Sequence, residues 1–308
     1  MKKAFSFLIL IGLAATIAIF HEPIATFVLN NVIYKREIII QESNRYALLN
    51  NFSFVQETDN FKPTSKQDLK NIVYTYLNRG WNNFSFFCET DIYPSCIDDV
   101  KELANDSATL SSINNFVHPY NSYDKLYITL NNLGKVTIET VRLYTTTEQN
   151  ELNSIIDDII NETITDDMSL RKKIEVIHDY IIENSVYDEE RAEAIKNNKQ
   201  LSLQEPSHKA IGPLMKGKAL CSGYSDAMAL FLNKLGIKNY KISSTNHVWN
   251  FVYVDGTWYH LDLTWDDPVV STKENLLLHD FFLISTEELQ KIDLTQHEFD
   301  KTIYIEAK

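Results

Sequence analysis

Basic charge is scarce in this 308-residue chain: 29 Lys and Arg stand against 42 Asp and Glu, a formal net charge of −13. That balance excludes a binder of nucleic-acid phosphates, which needs a basic face, and offers no attraction to anionic lipid. Glycine and proline are also few, 8 and 7, which excludes collagen-like and linker-dominated architectures. No internal repeat is present, so a solenoid or propeller is excluded as well. Cysteine is limited to three, too few for a disulfide-built scaffold. What is there, 44% hydrophobic and 23% charged residues, is ordinary globular composition with a length that suits two domains.

Met1-Lys2-Lys3 precedes an uncharged run from Ala4 to Phe20, which closes before His21-Glu22-Pro23. This has the form of a basic n-region and an apolar h-region. At ~1.5 Å per residue the run reaches about 25 Å, slightly short of a ~30 Å hydrocarbon core. Small residues at cleavage spacing, Thr16-Ile17-Ala18, fall inside the apolar run, not beyond it. Residues 1–22 are therefore expected to act as an uncleaved signal anchor: a single pass through the cell membrane, Lys2 and Lys3 inside and the body outside. A cleaved, secreted form is the alternative. Cys88 and Cys96 flank a turn-rich loop and could close as a disulfide in that oxidising setting, leaving Cys221 as the odd thiol.

Residues 23–60 read as a polar connector. A small α+β accessory domain follows over 61–146. Its helix is capped by Thr64 with Leu69, Ile72, Val73, Tyr76 and Leu77 on one face. Strands are expected at 84–88, 126–130 and 136–143, the last two joined around Asn131-Asn132-Leu133-Gly134. From 147 to 308 the order is helices and then strands. Leu152, Ile155, Ile156 and Ile159 mark one helix. Asp167 caps another, along which Ile174, Ile177 and Ile181 recur with His178 beside them. A third runs from about Ser222 to Leu235 and ends at Gly236. Strands at 240–243, 247–254 and 257–263 complete an α+β fold.

Cys221 precedes the third helix, where the positive end of the helix dipole favours thiolate. Gly223 allows another backbone to come close. Asp255-Gly256 is a strong two-residue hairpin signal. With Val254 facing Thr257, partner numbers sum to 511. Trp249 then faces Asp262, and His247 faces Thr264. His247 and Asp262 share one face as diagonal neighbours, while Val248, Val252, Val254, Tyr259, Leu261 and Leu263 form the opposite, core face with Asn250. A thiol, a histidine and an acid in this relation are the parts of cysteine-based acyl transfer. Cys221 is the nucleophile, His247 the general base and acid, and Asp262 the group that orients His247. The Cys221 N–H would meet the carbonyl oxygen's charge. Asp266 and Asp267 are read as loop and turn residues, and His208, His260, His279 and His297 as structural or surface groups, with His260 the rival to His247. Trp249, Trp265 and Tyr224 are expected to wall the thiol pocket.

These strings resemble the transglutaminase-like superfamily, the papain-related group with catalytic order Cys, His, Asp. Those that match are Gly217-Lys218-Ala219-Leu220-Cys221-Ser222-Gly223-Tyr224-Ser225, His247-Val248-Trp249-Asn250 and Trp258-Tyr259-His260-Leu261-Asp262-Leu263-Thr264-Trp265-Asp266-Asp267-Pro268. Ile177-His178-Asp179-Tyr180 and Phe281-Phe282-Leu283-Ile284-Ser285 are similar to bacterial members. The similarity covers roughly residues 150 to 290. It implies a papain-like core, a thioester on Cys221 with amine or water as acceptor, protein or peptide substrates, and neither cofactor nor metal. A binding or scaffolding module of the cell envelope, keeping this geometry without turnover, is the reading of a different class. Oligomeric state stays open.

Overall fold

The computed structural model of the chain describes residues 23, 25, 27–35, 37–197, 206–268, 276–293 and 295–308. The apolar run at 4–20, and the anchor expected from it, lie outside these. Among the described residues no helix is long and apolar enough to cross a membrane.

Helix α1 (Lys66–Asn78) forms where apolar residues recur at helical spacing. Its cap is Ser65 and not Thr64: the Asp68 N–H donates to Ser65 Oγ, while Thr64 gives its own N–H and hydroxyl to the Asp68 carboxylate. Strands β1 (Asn83–Phe87), β2 (Tyr123–Leu130) and β3 (Lys135–Arg142) make an antiparallel sheet in the order β1-β3-β2. The β2–β3 turn uses Gly134 at φ +73°. Between β1 and β2 lie two helices absent from the sequence reading, α2 (Cys96–Asn105) and α3 (Ser107–Asn114). A Cys88–Cys96 disulfide, Cα–Cα 5.6 Å, joins the end of β1 to the start of α2.

Helices α4 (Thr146–Thr163) and α5 (Leu170–Glu183) follow, with Ser169 and not Asp167 as the α5 cap. The Lys172 N–H donates to Ser169 Oγ, whereas Asp167 is held back by the Thr165 hydroxyl. A short parallel pair, β4 (Val186–Tyr187) and β5 (Lys218–Ala219), flanks α6 (Glu189–Lys196) and leads directly into α7 (Cys221–Lys234). An antiparallel sheet in the order β6-β7-β8-β9 comes next: β6 (Asn239–Ser243), β7 (Val248–Val254), β8 (Thr257–Leu261) and β9 (Phe282–Ile284). Helices first and antiparallel sheet after make the fold α+β.

The β7–β8 ladder runs from Val254↔Thr257 to Asn250↔Leu261, with Asp255 at φ +54° and Gly256 at +85° in the turn. Beyond Leu261 the chain leaves the sheet and coils into a single turn, α8 (Leu263–Asp266), capped by Asp262. α9 (Thr286–Ile292) follows β9.

Both faces of this sheet are buried. Val252, Val254 and Leu261 pack with α4, α5 and α7 through Ile156, Ile177, Ala227 and Phe231. Tyr240, Ile242, Trp249 and Phe251 pack instead against residues from the first half of the chain and from its final segment, including Phe116, Phe299 and Tyr304. The segment 23–60, expected as a connector, contributes Phe52 and Val55 to that second core, and Phe61 follows them into it.

Candidate active site

Leu220 caps α7 in extended conformation and has no side-chain donor or acceptor to offer. Its N–H donates to the Ser207 carbonyl at 2.8 Å, and the first in-helix bond runs from the Tyr224 N–H to Leu220 O at 3.0 Å. The N–H groups of Cys221, Ser222 and Gly223 therefore stand outside the helical ladder at its positive end. The same Ser207 carbonyl passes so close to Gly223 that a Cβ there would lie 2.2 Å from its oxygen. Glycine is what allows the preceding strand-and-loop backbone to fix the start of α7. Cys221 is the free cysteine and is partly exposed.

His247 sits one residue before β7, where the Ser244 N–H on the His247 carbonyl closes the β6–β7 turn. Its ring stacks on Trp249 with centroids 5.6 Å apart. His247 Nε2 meets Asp262 Oδ2 at 2.5 Å, and Cys221 stands on the same cavity, near enough to raise the ring's affinity for a proton. With Nε2 taken, Nδ1 is the nitrogen that serves Cys221. Structure thus brings Cys221, His247 and Asp262 into one connected line. Burial alone would strip His247 of its proton, but the Asp262 carboxylate and then Cys221 outweigh it, pushing the imidazole up to about 10. Asp262 is buried too, yet His247 and then His297 hold its carboxyl well below the usual range. Its other oxygen accepts the Thr264 N–H at 2.9 Å, so capping α8 and orienting His247 are one task.

Trp265 lines the cavity of about 270 Å³ onto which Cys221 and His247 open, together with Tyr187, Asn246, Asp267 and Gln296. Trp249 and Tyr224 do not line it. Trp249 is 1% exposed and lies behind His247, its Nε1–H donating to His260 Nδ1 at 3.0 Å. Tyr224 is as deeply buried, its hydroxyl donating to Asp267. A larger cavity of about 590 Å³, bordered by Tyr46, His118 and Lys234, contains none of the three reactive groups. His260, the rival, is pushed down to about 3 by burial and by nearby His297. It is neutral, with Nε2–H free to donate to Thr286 Oγ1 at 2.9 Å.

Of the histidines read as structural or surface groups, His279 and His297 join His178 in a network around α8. His178 Nε2 meets Asp266 Oδ2 at 3.2 Å, and its Nδ1 meets Asp179 Oδ1 at 2.9 Å. His279 shares that Asp179 oxygen at 2.8 Å. His297 is fully inside, with Nε2 on Asp262 Oδ2 at 2.9 Å and Nδ1 on Asp293 Oδ2 at 2.9 Å. Sequence reasoning missed His297 because 35 residues separate it from Asp262. The signal available was Asp293 four positions before it, spaced to grip an imidazole.

Two groups gather metal-ligating atoms, His247/Asp262/His297 and His178/Asp179/His279. In each, one carboxylate oxygen lies at hydrogen-bond distance from two imidazoles. That is the arrangement of a shared proton acceptor and not of ligands spread around an ion.

No family model matches the chain, and no curated protein does. Among solved structures it is similar to a transglutaminase at TM-score 0.38 and 17% identity, over 57% of this chain and 50% of that one. It is also similar to a candidate cysteine protease from Cytophaga hutchinsonii at TM-score 0.27 and 12% identity, over 50% of this chain and 65% of the other. The chain thus spans about half the length of the first and about two thirds of the second. Both likenesses are partial, and the chemistry below rests on the geometry of Cys221, His247 and Asp262.

Proposed function

We propose that the chain is a cysteine-dependent enzyme of the transglutaminase-like, papain-related type, acting on protein or peptide amides through a Cys221 thioester. One observation carries this reading: Cys221 opens onto the same cavity as an imidazole whose Nε2 is held by a buried carboxylate. An imidazole so placed can hold a proton beside the sulfur and hand it to a departing amine.

In the first step the thiolate attacks the amide carbon, and the carbonyl π pair moves onto oxygen. The Cys221 N–H, outside the α7 ladder, meets that negative charge. His247 Nδ1–H then protonates the departing amine as the C–N bond breaks, giving a thioester and a neutral imidazole. In the second step Nδ1 removes a proton from the incoming amine or water. The new bond forms, the C–S bond breaks, and the thiolate–imidazolium pair is restored. Asp262 stays ionised throughout and keeps the ring aimed. Trp265 and Tyr187 beside the thiol shape the approach of the acyl group.

We place this activity outside the cell, at the envelope, with the N-terminal run as membrane anchor. The Cys88–Cys96 disulfide supports that location, since such bonds persist in oxidising compartments.

The test is mass spectrometry of cell-envelope protein incubated with a biotinylated primary amine, comparing wild type with Cys221→Ala. Amine adducts on glutamine, or new peptide termini, should appear with wild type and vanish in the variant. Identical spectra, with Cys221 alkylated no faster than a free thiol, would leave a binding module without turnover.

A further inference from the structure

His297 has no part in the two steps above, yet it is 3% exposed and both of its ring nitrogens face carboxylate oxygens. One side is Asp262 Oδ2, the other Asp293 Oδ2, each at 2.9 Å. A carboxylate can only accept, so each contact needs a proton from somewhere. Asp293 is not its source. Its Oδ2 already accepts the Gln296 N–H at 2.9 Å, and its Oδ1 accepts the Thr295 N–H at 3.1 Å and hydroxyl at 2.7 Å. Against the pull of burial, those donors and His297 hold the Asp293 carboxyl well below the usual range. Asp262 is likewise committed, accepting from His247 Nε2 and the Thr264 N–H. The imidazole must supply both protons.

We infer that His297 donates from both ring nitrogens, clamped between Asp262 and Asp293, and so acts as a positioning residue for the catalytic line. It shares Asp262 Oδ2 with His247, so the oxygen that orients His247 also balances a second cation. The line from the thiol outward then alternates in sign: thiolate, His247 cation, Asp262 anion, His297 cation, Asp293 anion. Because Asp262 divides its attraction, His247 releases its proton to a leaving amine more readily than it would facing that carboxylate alone. This rests on the thioester mechanism proposed above.

The surroundings suit a cation. Its polar and titratable neighbours are Asp262 on α8, Asp293 after α9, His247 before β7 and the neutral His260 on β8. The remaining contacts are ring faces and edges: Phe281 stacked at 5.2 Å, Trp249 at 4.9 Å and Trp265 at 5.3 Å. His297 and Asp262 are both buried, so that carboxylate is felt at low screening.

Two measurements on the full chain test the inference. The first is nitrogen NMR of histidine-labelled wild type, with the His297 signals identified by their loss in His297→Gln. Both ring nitrogens should carry protons at pH 7, and a singly protonated ring overturns the proposal. The protonation is read on wild type, and the variant serves only to identify the signals. The second follows iodoacetamide alkylation of Cys221 against pH in wild type, His247→Ala and His297→Gln, the last keeping a neutral donor toward Asp262. The alkaline step, where His247 gives up its proton, should move upward by roughly one unit in His297→Gln. A folded His297→Gln whose profile superimposes on wild type overturns the positioning role alone. If wild type shows no dependence on His247, the thioester reading itself fails.

Discussion

The two faces of the β6–β9 sheet are both buried, but they are built from different materials. One is aliphatic, Val252, Val254 and Leu261 against α7, with one charged pair inside it: Lys241 Nζ and Asp226 Oδ1 at 2.5 Å, backed by the Tyr144 hydroxyl on Asp226 Oδ2 at 2.7 Å. The other is aromatic, with Tyr240, Trp249, Phe251 and Trp258 against Phe52, Phe116 and Tyr304, and it carries the imidazole–carboxylate line. The aliphatic face holds the helix that presents the thiol, and the aromatic face holds the groups that activate it. Rings tolerate a neighbouring cation because their faces are electron-rich, which methyl groups cannot match. The proposed chemistry lies where the faces meet, at the end of the sheet, and Asn250 Nδ2–H on Ser225 O at 2.9 Å keeps α7 and β7 in step there.

Three substitutions set the faces against each other. Lys241→Met should have the largest effect. It strands Asp226 in the aliphatic face and should cost about 3–5 kcal/mol of stability in urea unfolding, while Cys221 in the folded fraction alkylates as in wild type. A loss under ~1 kcal/mol would mean that the pair behaves as a surface ion pair and the faces are less distinct than described.

His247→Ala removes the aromatic face's contribution to the thiol. Cys221 alkylation at pH 6 should fall about 100-fold, equivalent to ~2.7 kcal/mol, as the sulfur reverts to an ordinary thiol. The stability consequence has a definite sign. His247 holds its proton more tightly folded than unfolded, up to about 10 against an ordinary 6.5. Its contribution is therefore complete below about 6.5 and is lost as pH climbs through about 10. Denaturant midpoints of wild type and His247→Ala should converge over that window, and parallel curves would remove the basis for a charged imidazole.

Gly223→Ala should have the smallest effect, about 1–3 kcal/mol in thermal unfolding, because the new methyl must displace the Ser207 carbonyl. Its sharper readout is Cys221 reactivity, which should drop with the tilt of the α7 start. A fully wild-type melt would show that the Ser207 segment yields freely.

How much of this could be read from residues alone depended on range. Asp255-Gly256 is a local signal, and the ladder it sets runs pair by pair to Asn250↔Leu261. The rest of the predicted register did not form, since the Asp262 side chain accepts the Thr264 N–H and the chain coils into α8. Parity separated His247 and Asp262 from Val252 and Leu261, but the inference that one face is core and the other open was too simple. What covers the aromatic face comes from residues 52–117 and 281–307, and no periodicity in one strand can announce a partner that far away. The same distance hid Phe52, Val55 and Phe61, whose spacing matches neither helix nor strand.

Residues 297–307 finish the aromatic core: Phe299, Tyr304 and Ala307 are buried, and the Thr286 N–H donates to the Ala307 carbonyl at 3.1 Å. Asp262 therefore lacks one of its partners until His297 has been made and seated. A growing chain still short of that segment carries its cysteine unarmed.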